Sequence, residues 1–170
     1  MLPKTIKNFN LFIEGGSYMG RAEETVLPKL TRKTEEYRGG GMNAPMEIDM
    51  GSEKLEAEFT LREFSEDVLL QYGVVDSAGV ALRFRAAAQR DDASGDTDAV
   101  EVVMRGRWRE LDMGTVKSGD AASMKVAMAI TYYKYIVNDV TLIELDSLNM
   151  IEKVGENDRL AEQRKALDIV

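Results

Sequence analysis

The chain has 170 residues, 44% of them hydrophobic and 31% charged, with a formal net charge of −8; this suits one soluble domain spanning residues 1–170 with a proper core. It has no cysteine and no histidine, which excludes disulfides, thiolate metal sites, cysteine nucleophiles and Ser-His-Asp triads, and removes the commonest general base and metal ligand. The acidic balance makes it a poor general binder of nucleic acid, which needs clustered Lys and Arg.

From the N-terminus, Asn8–Ile13 is short and apolar. Glu14-Gly15-Gly16-Ser17 follows as a turn, and Tyr18–Gly20 is expected to return as a second hairpin arm. Leu27–Gly51 begins and ends like β-structure, but a glycine triplet (Gly39, Gly40, Gly41) and Pro45 interrupt it. It reads as a long arm with a flexible bend. The triplet lacks the GK[ST] continuation and the strand–loop–helix setting of a phosphate loop. Within and after the arm, Met46, Ile48 and Met50 alternate with Glu47 and Asp49. Leu55, Ala57, Phe59 and Leu61 alternate with Glu56, Glu58 and Thr60. Both runs have the period of half-buried strands.

A helix is expected at Glu66–Tyr72, capped by Ser65, with Val68, Leu69 and Tyr72 on one face. Val80–Ala87 and Val100–Glu110 are strands whose inner faces are Val80, Leu82, Phe84, Ala86 and Val100, Val102, Met104, Trp108. A polar connector, Arg90–Ala99, joins them. Met124–Val137 is the longest strand, with Met124, Val126, Met128, Ile130 and Tyr132 on one face. Its other face, Ala127, Ala129, Thr131, Tyr133 and Tyr135, is too apolar for water. Either that face is an interface, or the strand is buried on both sides. Asn138-Asp139 turns the chain into Val140–Asp146, and a C-terminal helix is expected at Asn157–Leu167. The sum is a mainly β fold: two packed antiparallel sheets in a barrel-like sandwich, a flanking helix and a short C-terminal helix.

Chemistry-bearing groups are sparse. Arg83, Arg85, Arg105, Arg107 and Arg109 would share one face if their strands pair. That face suits anion contact, but pairing with acidic neighbours is the favoured reading, because the aromatic interleaving that stacks bases is weak. The acidic pairs Glu23-Glu24, Glu35-Glu36 and Asp91-Asp92 lack EF-hand spacing. No catalytic, metal or cofactor residues are assigned. The ten methionines suit adaptable packing. No apolar run approaches the roughly 18 residues of a membrane span. The N-terminus lacks a secretory signal pattern, so a cytoplasmic site of synthesis is expected.

Several blocks resemble a known family. They are Asn8-Phe9-Asn10-Leu11-Phe12-Ile13 with Gly15, Ser17, Tyr18 and Gly20; Leu27-Pro28-Lys29-Leu30; Lys33-Thr34-Glu35; Tyr37-Arg38-Gly39; Gly41-Met42; Ala44-Pro45; and Ile48-Asp49-Met50-Gly51. Tyr132-Tyr133-Lys134 and Ile143-Glu144-Leu145-Asp146 continue the match. In order and spacing these resemble the FII-type major tail tube proteins of contractile-tailed phages, and are similar to the R-type pyocin tube protein. Family members often follow the last motif with proline, where this chain has Ser147.

The resemblance implies a structural subunit without catalysis. It would form homo-hexameric rings that stack into a hollow tube, acting as a conduit that DNA passes through without specific binding or as the penetrating tube of a particle without DNA. Sheath protein, a baseplate or tube initiator and a tape-measure protein are the implied partners, and the virion tail or a tailocin particle the implied location, after assembly in the host cytoplasm. Strand pairing between copies would close exposed edges, and head-to-tail stacking would build a filament. On this reading the arm at about 27–51 joins subunits through Lys29, Arg32, Lys33, Glu35, Tyr37, Arg38, Gly39, Gly40, Gly41 and Met42. Glu47, Asp49, Glu56 and Glu58 are the candidates for the lumen wall. A type VI-like secretion tube and a monomeric β-barrel binding a small ligand are the competing expectations.

Overall fold

A computed structural model describes residues 2–169. Twelve strands and two short helices follow in the order β1 (Lys4–Ile13), β2 (Gly16–Ser17), β3 (Ala22–Val26), β4 (Arg32–Tyr37), β5 (Met46–Ser52), β6 (Leu55–Leu61), α1 (Glu66–Gln71), β7 (Val80–Arg90), β8 (Thr97–Asp112), β9 (Met124–Val137), β10 (Val140–Asp146), β11 (Ile151–Val154), β12 (Asn157–Asp158) and α2 (Ala161–Ala166). Every strand pairing is antiparallel. Ten strands form one sheet with the path β12-β11-β10-β9-β8-β7-β1-β2.

The sheet forks at β9. On the side away from β8, Met124–Ile130 pairs with β6, whereas Tyr132–Val137 pairs with β10. Beyond β6 lies β3. Residues 18–22 link the β1 side back to the β3 side: the Tyr18 amide donates to the Leu11 carbonyl, and the Arg62 amide to that of Arg21. The sheet thus curls around one apolar cluster that includes Leu11, Phe59, Leu61, Leu82, Val102, Met104, Met124, Val126 and Met128. Each such side chain, fully buried, contributes about 1.5–3 kcal/mol relative to exposure. Phe59 meets Trp108 edge-on at 5.4 Å between ring centroids.

The alternation expected for β6, β7 and β8 matches the buried residues Leu55, Ala57, Phe59, Leu61, then Val80, Leu82, Phe84, Ala86, then Val100, Val102, Met104 and Trp108. On β9 the expected face holds through Ile130 and then switches. Gly106 sits opposite Ile130 but Arg105 sits opposite Tyr132, so Thr131 has no opposite number. This β-bulge inverts the parity of every later side chain. Tyr133 is buried, with Tyr135 and Val137 packed on the core, instead of Tyr132. The strand therefore looks apolar on both faces largely because its two halves turn opposite faces inward. A second bulge leaves Arg109 unpaired on β8, and Leu111 then packs on the core.

Four local expectations need correction. The arm that returns beside β1 is Gly16–Ser17 with Tyr18 bonded to Leu11, not Tyr18–Gly20, because the turn is only Glu14-Gly15, both at positive φ. Ser65 stands at the N-cap of α1 but makes no side-chain cap bond; its hydroxyl lies 3.0 Å from that of Tyr18, and both residues are buried. Tyr72 is exposed, outside the helix's packed face of Val68 and Leu69. At the C-terminus only Ala161–Ala166 is helical. Asn157 and Asp158 instead pair with Val154 and Lys153, which commits their backbone to a ladder.

Candidate assembly interface

The Leu27–Gly51 arm is a hairpin that stands apart from the main sheet. β4 and β5 pair only with each other. Residues opposite one another on an antiparallel pair share a face. Tyr37 opposes Met46 and Glu35 opposes Ile48, while Glu36 opposes Glu47 and Thr34 opposes Asp49. One face therefore carries Tyr37, Met46, Ile48 and Met50, exposed by 53%, 51%, 41% and 51%, with the exposed Glu35 beside Ile48. The other is polar, and its Glu36–Glu47 pair sets like charges against each other.

The tip is a hydrogen-bonded turn. The Met42 amide donates to the Gly39 carbonyl (3.3 Å), and Arg38 Nε donates to the Met42 carbonyl (3.1 Å). Gly41 takes φ +82°, and a Cβ on Gly39 would press to 2.9 Å from the Tyr37 hydroxyl. Gly40 has open space around it. Lys29, Lys33, Glu35, Tyr37 and Arg38 are exposed; Arg32, Gly39 and Met42 are half-buried.

A charge cluster holds the base of the hairpin. Arg32 Nε lies 2.9 Å from Asp49 Oδ2, and its Nη2 2.9 Å from Asp49 Oδ1, a bidentate pair. Arg32 also donates to Glu152, on β11. Arg159, just beyond β12, reaches Asp49 at 3.3 Å and Glu152 at 3.2 Å. Glu152 is itself buried. The Gly51 amide and the Arg32 guanidinium hold the Asp49 carboxyl below its ordinary range, and Asp49 in turn raises Arg32. So Arg32 and Asp49, expected at a subunit contact and a lumen wall, are engaged within their own chain. Glu152 and Arg159 had no signal in the sequence, because 120 residues separate Arg32 from Glu152 and 110 separate Asp49 from Arg159.

The remaining acidic candidates occupy different surroundings. Glu56 pairs with Lys54 (3.0 Å) and with Arg109, and Glu58 with Lys125 (3.2 Å). Glu47 makes no ion pair among the described residues. The arginine face is largely matched by its own chain. Arg83 and Arg85 lie 3.7 and 3.8 Å from Glu101, Arg109 pairs with Glu56, and Arg107 donates to the Val75 carbonyl. The described residues hold no metal-type cluster of His, Cys, Asp and Glu, and no helix among them is long and apolar enough to cross a membrane.

An apolar core thus lies beneath an exposed hairpin with one largely apolar and one polar face. The match to the model of the phage tail tube protein FII family spans residues 3–167, and the chain belongs to that family. It is 41% identical to the tail tube protein of Escherichia phage P2, with 99% of each chain covered. It is 38% identical to the major tail tube protein of Serratia phage KSP20, covering 89% of this chain and 88% of that one. Two solved structures share the fold at low identity. One is from the sheath–tube complex of the PVC extracellular contractile injection system (TM-score 0.58, 12% identity, 80% of this chain and 91% of that chain covered). The other is from the tube-terminating cap of the anti-feeding prophage (TM-score 0.59, 10% identity, 80% and 92% covered). The protein is a structural tail tube subunit and not an enzyme.

Proposed function

We propose that this subunit forms hexameric rings that stack into a hollow tube, and that the Arg32–Ser52 hairpin joins one copy to the next. The single domain, with its arm, repeats along the tube. The observation that carries this reading is the exposed apolar face Tyr37, Met46, Ile48 and Met50. A two-stranded hairpin has little independent stability in water, and a contiguous apolar patch on it marks a contact surface. The other face supports the same reading: Glu36 and Glu47 oppose each other, and a cationic group of a neighbouring copy would relieve their repulsion. Lys29, Lys33, Glu35 and Arg38 would set register between copies, since exposed charges govern specificity more than affinity.

Sheath, a baseplate initiator and a tape-measure protein are the partners of the assembled tube, which is put together in the host cytoplasm and carried in the virion tail or a tailocin particle. The hollow tube serves as a conduit in which DNA is only passing cargo, or as the penetrating tube of a tailocin. Glu56 and Glu58 remain the candidates for the lumen wall. Their basic neighbours make that surface nearer neutral than its carboxylates alone imply, which still favours sliding over binding.

Ile48→Lys is the test. It places a charge in the apolar face at a position already 41% exposed, so subunit stability should move by less than about 0.5 kcal/mol. Negative-stain microscopy should show loss of tubes from a folded subunit. Normal tubes from this variant would overturn the arm-docking reading.

A further inference from the structure

We propose that the C-terminal segment is a latch for the arm, with Arg159 and Glu152 as its positioning residues. The proposal rests on the arm-docking reading for its consequence, but the latch itself stands on geometry. The hairpin shares no backbone pairing with the main sheet, so its direction is set where it leaves the body. There Arg32 and Asp49, at the foot of the two arm strands, meet Glu152 and Arg159. Glu152 is the fixed point: its carboxylate is buried and accepts from both arginines. Because Arg32 stays on Glu152 when Arg159 is removed, loss of Arg159 frees the arm's foot on one side without leaving the buried carboxylate unpaired.

Arg159 is held in turn by the C-terminal fold. Its amide donates to the Glu152 carbonyl at 2.8 Å, which sets it directly beside that carboxylate. Arg164 of α2 pairs with Asp158 and donates to the Met150 carbonyl at 2.8 Å. A line of contacts therefore runs from α2 through Asp158 and Arg159 to Asp49 on the arm. The last turn of the chain decides where the arm points. The latch also gives a reason for the strand at Asn157–Asp158 in place of a longer helix: pairing of Lys153 with Asp158 delivers Arg159 to the arm.

The experiment uses the absence of cysteine. Gly40→Cys provides one labelling site at the arm tip, where an added Cβ meets nothing within 4 Å. Fluorescence anisotropy of a dye there reads arm mobility, thermal unfolding reads the body, and negative-stain microscopy of the unlabelled chain with Gly40 intact reads assembly. Arg159→Ala should lower the tip anisotropy markedly and reduce tube yield, with a nearly unchanged melting midpoint. Arg159→Lys should give an intermediate anisotropy, because lysine lacks the fork that spans two carboxylates. Should Arg159→Ala fold poorly, Glu152→Gln supplies the same reading with the side-chain shape retained. Unchanged anisotropy in a folded variant would overturn the latch. A loosened arm with normal tube yield would overturn its role in assembly. Ile48→Lys separates the two ideas: normal tubes from that variant refute arm docking and leave the anisotropy result standing.

Discussion

A Cβ on Gly106 would lie 1.9 Å from the carbonyl oxygen of Ala129. The two strands come this close beside the bulge that leaves Thr131 unpaired. Only hydrogen fits between them, so glycine is required by the approach of another backbone and not by φ. Neither strand can retreat, because Met104 and Trp108 on one and Met128 and Ile130 on the other are buried in the core.

Gly106→Ala should therefore be severe. Overpacking costs typically 1–3 kcal/mol where flexible side chains can yield. Here the opposing atoms are backbone, so a loss of about 3 kcal/mol or more is expected. A urea titration would show a lower midpoint; an unchanged midpoint would mean that the strands are farther apart in solution.

Tyr18→Phe should cost about 1–2 kcal/mol by removing the partner of the buried Ser65 hydroxyl. Adding Ser65→Ala should cost less than the sum of the single changes, since no polar group is then left unpaired. The pairwise coupling, measured from the four unfolding curves, would be near zero if the hydroxyls did not interact.

Acid should destabilise the fold in a predictable window. Four aspartates have carboxyls held below the ordinary value of 3.8: Asp49 by the Gly51 amide and Arg32, Asp92 by the Ser94 hydroxyl, Asp98 by Lys4 and Asn138, and Asp158 by Arg164. Their folded values are depressed, so the unfolded chain takes up protons first as pH falls. The stabilisation is complete above the ordinary value and is lost as pH drops through the folded values. Melting temperatures should decline through this range, and Asp98→Asn should flatten the decline. An equally steep decline in that variant would remove Asp98 from the account.

Much of this protein is legible in its residues because much of it is periodic. The inner faces of β6, β7 and β8 follow from alternation, since a half-buried strand must present every second side chain to the core. The arm shows itself as a charged, glycine-interrupted segment between regular strands. The helix expected at Asn157–Leu167 is present but confined to Ala161–Ala166, because Leu160, Ala161, Arg164 and Leu167 carry helical spacing while Asn157 and Asp158 have strand partners. The base cluster had no local signature, because neither Glu152 nor Arg159 lies near the arm in the chain.

The sequence alone determined the class. Without histidine or cysteine, and with alternating strands and the Leu27–Gly51 block, it describes a β-built assembly subunit. Tertiary structure decided which face of each strand half is inside, because a single unpaired residue at Thr131 inverts parity and only the partner strand's register reveals it. It likewise decided that Arg32 and Asp49 answer first to Glu152 and Arg159 of their own chain. Charge pairing depends on distance in space, and the chain brings those four together only by folding.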